Sequence, residues 1–418
     1  MSRGFDPRIG ARPARWPGAV LVFAGVLAPL MAWLSPLGFA PLAALTGLLA
    51  VASLRLEPRH LPGAAVLMVA AAWAIGSITW SPYHPDDLES WTALKLVLGA
   101  VLYWGAVCAA GRASDRSRRT ALLVFAWGMA AYGALLVVEG ATGAAAYRAL
   151  RVAIGDPIRP DLGVKNVAQG GYVLSVFLPA AALAAVRAGA PRWLGVVMVA
   201  GVAVSSLAFG SDAPLLALTL AGLVGLAAMR WPRGAPITLA ATAGAFFLFT
   251  PALVWALQAC GVYARMEAAA PLSWSMRMGY WRHAAAWIGD HPLRGWGLDA
   301  SRMFAPGIRL HPHDAALQIW LELGVVGACA AAAFWGLMLA DLRRPRADAA
   351  MAVALATATV YLVFAAVSFG VWQDWWIGVG ALAAAFCVAV ARQPPRSPAA
   401  PRAATGRGRP STATPISE

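Results

Sequence analysis

His311-Pro312-His313-Asp314-Ala315-Ala316-Leu317-Gln318-Ile319-Trp320-Leu321-Glu322-Leu323-Gly324 joins a polar loop to an apolar helix. Pro312 biases His311 toward extended backbone, and Asp314 is a residue type that caps helix starts. The apolar run that follows continues long enough to cross a bilayer, which takes about 20 residues. The stretch therefore reads as the doorway from an aqueous loop into a membrane span. Upstream, the loop from Gln258 to Ala315 holds four of the six histidines (His283, His291, His311, His313) and six arginines (Arg265, Arg277, Arg282, Arg294, Arg302, Arg309).

The rest of the chain is lipid-soluble. It is 60% hydrophobic and 12% charged, with a mean hydropathy of +0.65, which excludes an ordinary soluble domain. The pattern predicts an all-α polytopic membrane protein with about twelve transmembrane helices, starting near residues 17, 37, 61, 91, 120, 170, 192, 214, 235, 315, 350 and 372. The divisions expected are a cytoplasmic amino terminus (1–16) and spans one to nine (17–257), with an outer loop at 139–169. A catalytic loop with short helices (258–315), spans ten to twelve (315–392) and a disordered cytoplasmic tail (393–418) follow. The first span has no small-residue cleavage site and reads as a retained anchor. Many of the 19 tryptophans, such as Trp16, Trp33 and Trp193, stand at segment ends, where interfacial anchoring explains them.

The net charge of +14 suits a topology signal better than a nucleic-acid surface. With both termini cytoplasmic, 22 of the 33 Lys and Arg fall on the inside, the positive-inside bias. Lys95 lies within span four. The remaining cations stand on the outer face in two loops only: Arg148, Arg151, Arg159 and Lys165 in one, and the six loop arginines in the other. Long loops can escape the positive-inside rule. An anionic substrate at the membrane surface also explains them, since arginine's planar fork pairs with phosphate.

Within the loop, Trp274, Met278, Trp281, Ala285 and Ile288 recur at helical spacing, with Arg277, Tyr280, Ala284 and Trp287 on another face. Residues 273–290 thus predict a helix lying at the membrane surface and presenting Arg277 to a lipid headgroup. A packed periplasmic helix satisfies the same spacing. His313, beside a helix N-terminus and among cations, is favoured as neutral imidazole, the form a general base requires. Asp314, Gln318 and Glu322 share a face of the following helix, where a hydrogen bond or ion pair to a neighbouring helix is the simpler reading of Glu322. The histidines show no metal-ligand spacing, the arginines would repel a dication, and Cys108, Cys260, Cys329 and Cys387 show no metal or redox spacing. No cofactor is expected.

The run Trp287-Ile-Gly-Asp-His291-Pro-Leu-Arg-Gly-Trp-Gly297, followed by His311 to Gly327, resembles the O-antigen ligase and O-antigen polymerase family, whose members carry "dHPl-GvG" and "H-x-HN-x-x-Lq" segments. Gly163-Val-Lys165-Asn166-Val-Ala168 is a weaker echo of a Gly/Asn-rich turn before span six. The resemblance implies a metal-independent, inverting glycosyltransferase of the GT-C type in the bacterial inner membrane, its site facing the periplasm. The donor would be a glycan on undecaprenyl diphosphate, and the acceptor a hydroxyl of lipid A-core or another glycan; membrane lipids are further partners, and nucleic acid is not. Carried over by position, His313 activates the acceptor and Arg277 holds the diphosphate. Lys165, Asn166, Arg265, Arg282, His311, Asp314 and Glu322 are the expected substrate contacts. Two positions depart from the family: Asp314 stands for its usual Asn, and Phe209-Gly-Ser211-Asp212 stands where many members have Ser-Arg. Trp296, Trp372, Trp375 and Trp376 could stack on sugars, and anchoring in the membrane belt explains them equally well. A polysaccharide polymerase of the same family is the nearest alternative. A transporter of lipid-linked glycan or anions is the alternative outside it, although no repeat of the halves or broken helix pair is evident.

Overall fold

The computed structural model describes residues 15–87 and 91–394; the expected amino terminus and tail lie almost wholly outside them. Fifteen α-helices and several short 3-10 turns make up the described residues, with no strand. In chain order they are α1 (Arg15–Leu34), α2 (Phe39–Leu49), α3 (Leu61–Ser77), α4 (Thr92–Arg112), α5 (Asp115–Thr142), α6 (Ala145–Ala153), α7 (Pro160–Ala188) and α8 (Trp193–Ala208). They continue with α9 (Ala213–Arg230), α10 (Gly234–Ala259), α11 (Val262–Ala269), α12 (Leu272–Asp290), α13 (Ala315–Ala340), α14 (Ala349–Val367) and α15 (Asp374–Arg392).

Ten of the described helices are long and apolar enough to cross a membrane, so the chain is an all-α polytopic membrane protein. The expected second and seventh spans correspond to shorter apolar helices, at 36–49 and 193–208. Two boundaries differ from expectation. The outer loop at 139–169 is mostly helix: α5 runs on to Thr142, α6 follows, and α7 begins at Pro160. Proline fits the first helical turn, where its missing N–H costs nothing, so the helix starts ten residues earlier than the apolar run alone suggests. The Gly/Asn-rich stretch at 163–168 is therefore a helical turn, not a loop.

Close helix packing depends on small residues. At the contact of α5 with α8, a side chain on Gly201 would strike the Gly133 backbone, so the two helices approach through paired glycines. The largest core lies among α1, α2, α4, α5, α7, α8, α9, α14 and α15, with Phe125, Phe177 and Phe386 mutually in ring contact. A second group, α3, α10, α12 and α13, carries the polar loop. Helix α12 covers the stretch read as amphipathic. It buries Met278, Ala284, Ala285 and Ile288 and is pinned to its neighbours by Tyr263 Oη to the Met278 carbonyl (2.7 Å) and Trp255 Nε1 to the Ala285 carbonyl (3.0 Å). It is a packed helix, anchored on α10 and α13.

Helix α13 is broken at Gly324, whose backbone adopts φ 64°, ψ −159°. A break frees polar groups that must find partners inside an apolar bundle. The segment 292–297 supplies most of them. Trp296 N–H donates to the Leu321 carbonyl (2.8 Å), Gly297 N–H to the Glu322 carbonyl (2.8 Å), and Val325 N–H to the Pro292 carbonyl (2.9 Å). Trp73 Nε1 from α3 takes the Leu323 carbonyl (2.9 Å). The fit leaves no room for side chains at Gly295 or Gly324: a Cβ on either would overlap the other segment's backbone, and both residues have positive φ. Gly324→Ala should therefore lower the thermal midpoint and folded yield, at a cost of about 2 kcal/mol or more, while Gly336→Ala on the same helix, with open space around it, should leave both unchanged. Equal behaviour of the two variants in size-exclusion thermal profiles would refute the interlock.

Candidate active site

Asp314 caps α13 as the sequence suggests, its carboxylate accepting from Leu317 N–H (2.8 Å). Burial raises this carboxyl to about 7, against the opposing pull of the Leu317 and Ala316 N–H groups. The residue before it departs from ordinary backbone: His313 has φ 58°, the left-handed region that non-glycine residues enter at a cost. That turn aims the imidazole at the loop between α14 and α15, where Nδ1 lies 2.6 Å from the Ser368 carbonyl. A carbonyl only accepts, so Nδ1 carries the proton and Nε2 of neutral His313 keeps its lone pair.

The neighbouring His311 is held the opposite way. His313 N–H donates to His311 Nδ1 (3.1 Å), so the proton of neutral His311 sits on Nε2. Nε2 faces the Gln373 side-chain amide at 3.3 Å. A protonated Nε2 needs an acceptor there, and the buried Gln373 Oε1 has no other partner. The amide turned to present Oε1 satisfies both groups. Burial, then the charges of His313 and Arg302, push His311 down to about 3, so it stays neutral and serves as a support. The two rings are 4.3 Å apart, and Tyr280 of α12 stacks on His313 at 5.9 Å and 18°. His313 is also held below the ordinary histidine value, first by burial and then by the charges of Arg277 and Lys165, against the raising effect of the Ser368 bond.

Ion pairing sorts the outer cations. Arg151 pairs with Asp156, Arg159 with Asp161, Arg282 with Glu267 (3.3 Å), and Arg302 with Asp299 (3.1 Å). Arg294 lies over the Trp80 ring at 5.9 Å. Arg265 is exposed on α11, and Asn166 reaches the Trp33 carbonyl at 3.5 Å, tying α7 to α1. Arg277 and Lys165 have no carboxylate partner among the described residues, and theirs are the charges felt at His313. Arg277 donates only to the Ser273 carbonyl of its own helix (3.2 Å), lies 5.4 Å from the Trp274 ring and leaves its buried Nε unpaired. Two helices distant in sequence, α12 and α7, thus direct uncompensated positive charge to the same imidazole.

Glu322, expected among the substrate contacts, is wholly buried and fully engaged. Its oxygens accept from Asp299 N–H (2.8 Å), Ser301 Oγ (2.6 Å), Gln318 Nε2 (3.1 Å) and Trp372 Nε1. Gln318 Oε1 in turn accepts from Val371 N–H (2.9 Å). Glu322 therefore knots the polar loop, α13 and the α14–α15 loop together beneath the histidines, in keeping with the simpler reading of it. Trp375 and Trp376 are buried and leave no open face for stacking on a sugar, while the Trp372 indole N–H donates to Glu322. Trp296 packs among Trp287, His291 and Phe304.

Sequence reasoning missed Ser368 and Gln373, the partners of the two histidines. The signal available was the polar break Ser368-Phe-Gly370-Val-Trp-Gln373 between two apolar helices on the same face as the loop. Gly370 lies against His311, where a Cβ would come within 2.9 Å of the ring. Asp212, at the family's arginine position, is exposed at the start of α9, and Ser211 Oγ donates to Tyr172 Oη (3.0 Å). Among the described residues, no three His, Cys, Asp or Glu side chains are grouped so as to hold a metal ion.

Residues 196–332, from α8 into α13, match the family model described as O-antigen ligase. Over 118 residues, 25% of the chain, the sequence is 28% identical to a candidate polysaccharide ligase of Rickettsia conorii, covering 29% of that relative. Over 115 residues, 24% of the chain, it is 26% identical to another from Rickettsia prowazekii, covering 28% of it. The chain thus spans less than a third of the length of the curated relatives it matches. No solved structure matches it. The matches bear out the resemblance to the O-antigen ligase family, over the segment that carries α12, the interlock at Gly324 and both histidines.

Proposed function

We propose that this chain is an O-antigen ligase-type glycosyltransferase, which moves a glycan from a polyprenyl diphosphate carrier to an acceptor hydroxyl, with lipid A-core as acceptor. The observation that carries the reading is the tautomer-locked His313, whose unprotonated Nε2 lies within the field of two unpaired cations. The acceptor O–H gives its proton to Nε2 as its oxygen attacks the anomeric carbon. The bond from that carbon to the diphosphate oxygen breaks, and its electron pair leaves with the diphosphate. Direct displacement inverts the anomeric configuration. Arg277 and Lys165 meet the charge that grows on the leaving group, an electrostatic contribution that commonly dominates such catalysis. Lys165 thereby supplies the second cation that the family places at the Asp212 position. Arg282, committed to Glu267, and exposed Arg265 contribute at longer range, and no metal ion takes part. A polymerase of the same family would use the same chemistry with a different acceptor.

The site faces the periplasm of the inner membrane in this reading. Reporter fusions at Ala270 and at Arg346, on either side of the α13 span, should report opposite compartments, with Ala270 outside. A cytoplasmic signal at Ala270 would remove the donor from reach and end the proposal.

Purified protein should transfer glycan from a synthetic polyprenyl-diphosphate sugar in detergent and in excess chelator. His313→Ala should leave donor binding intact while slowing transfer by about two to four orders of magnitude. Arg277→Ala should weaken both, and Arg277→Lys should restore only part, keeping charge without the paired geometry. Wild-type protein that is inactive in detergent but moves the lipid across liposomes would establish transport instead.

The pH profile tests the base separately. A histidine held below its ordinary value of 6.5 stays neutral to lower pH. Transfer should therefore hold steady from pH 8 to about 6.5 and fall only as the pH drops through the lowered value. Asp314→Asn, which keeps a capping side chain, should retain that limb. A limb that vanished in Asp314→Asn would assign the titration to Asp314 and not to His313.

A further inference from the structure

Helix α15 begins beside the histidines and ends at Arg392, 19 residues away, about 28 Å along its axis. At this far end two arginines have structural work. Arg187 donates to the carbonyls of Val390, Ala391 and Gln393 and pairs with Asp348 (3.6 Å). Arg118 takes the Arg392 and Ala113 carbonyls and pairs with Asp115 (2.9 Å). Both cap helix ends, where cations are favoured.

Four other arginines on this face line a cavity of about 140 Å³: Arg55, Arg59, Arg112 and Arg392. The lining has a single carboxylate, Glu57, and it is paired with Arg59 (2.9 Å). Arg55 and Arg392 have no ion pair among the described residues, and Arg112 makes only a long bond to the Ala52 carbonyl (3.5 Å). His60, set edge-on to Trp104 at 5.0 Å, also lines it and keeps a buried Nδ1 without a partner. The cavity thus carries three uncompensated guanidiniums and an unused imidazole nitrogen. Its other wall is apolar, with Trp104, Val107 and Val388, and the flanking Leu48, Val51 and Leu61 are exposed.

We propose that this cavity seats the phosphate headgroup of an anionic phospholipid, with its acyl chains lying along Leu48, Val51 and Leu61. The charge selects a phosphate, and the apolar wall with its exposed extension selects an amphiphile over a free ion; basic pockets between membrane helices hold anionic headgroups in this way. Occupancy joins the ends of α3, α4 and α15. Helix α3 buries only Ala74 and Ser77, yet Trp73 and Ser77 support the active-site loop through the Leu323 carbonyl and Leu298 N–H. A lipid at its far end therefore steadies a helix on which the catalytic loop leans.

The test uses full-length protein, delipidated in detergent. Native mass spectrometry should show a phosphatidylglycerol molecule retained in preference to phosphatidylcholine, and phosphatidylglycerol alone should raise the thermal midpoint. Arg55→Gln with Arg112→Gln should weaken that binding about tenfold or more. Arg343→Gln with Arg346→Gln, an equal charge loss elsewhere on this face, should not. On unmodified protein, photoreactive phosphatidylglycerol should label peptides 51–61 and 104–112, so the site remains testable if the double variant does not fold. Equal retention of phosphatidylcholine, equal loss in the Arg343 and Arg346 control, or labelling confined to other peptides would overturn the proposal. Inorganic phosphate reproducing the thermal shift would overturn it too, by showing a small-anion site.

Discussion

The break in α13 at Gly324 is the constraint on which the candidate active site depends. An uninterrupted helix would satisfy its own backbone and give the polar loop nothing to bind. By leaving helical geometry for one residue, α13 exposes the Leu321, Glu322 and Leu323 carbonyls and the Val325 N–H, and the segment 292–297 with Trp73 answers each of them. In an apolar bundle every such group left unpaired costs several kcal/mol, so the docking is compulsory rather than optional. The loop is thereby registered against the helix to within a residue. Glu322, two residues before the break, extends the same logic to side chains, since a buried carboxylate is tolerable only when its oxygens are occupied. Its four donors come from the loop, from α13 and from the α14–α15 loop, which is the loop that fixes the His313 proton.

This explains which parts of the design could be read in the sequence. Helix boundaries followed from hydropathy and capping, because both are local: Asp314 caps α13, and the amphipathic repeat from Trp274 to Ile288 lies within α12. The start of α7 is hidden in the hydropathy because Lys165 and Asn166 dilute the apolar run; its signal is Pro160. The glycines at 295 and 324 were visible as a family pattern but carried no geometry. Their reason is a backbone-to-backbone approach between segments almost thirty residues apart. Ser368 was illegible for a stricter reason: it acts through its carbonyl, and any residue type has one.

Electrostatics shows the same division. The ten cations of the two loops read as outer are equivalent in a sequence, where each is one positive charge. Folding separates them by pairing: Arg151, Arg159, Arg282 and Arg302 are neutralised by nearby carboxylates, while Arg277 and Lys165 are among the other six. Both of these charges bear on His313. The opposite face repeats the pattern, with Arg118 and Arg187 consumed by helix ends and Arg55, Arg112 and Arg392 left around a cavity.

In the proposed reaction, placing cations next to a general base has opposing effects. The positive field lowers the basicity of His313, which weakens each proton abstraction, yet it keeps the imidazole neutral and available at lower pH. The Ser368 bond acts in the other direction and would stabilise the imidazolium formed once an acceptor proton is taken. A diphosphate drawn in by Arg277 and Lys165 would cancel much of their field at Nε2. His313 would then become a stronger base only when donor is present, so that proton transfer is enabled by the same binding event that supplies the leaving group.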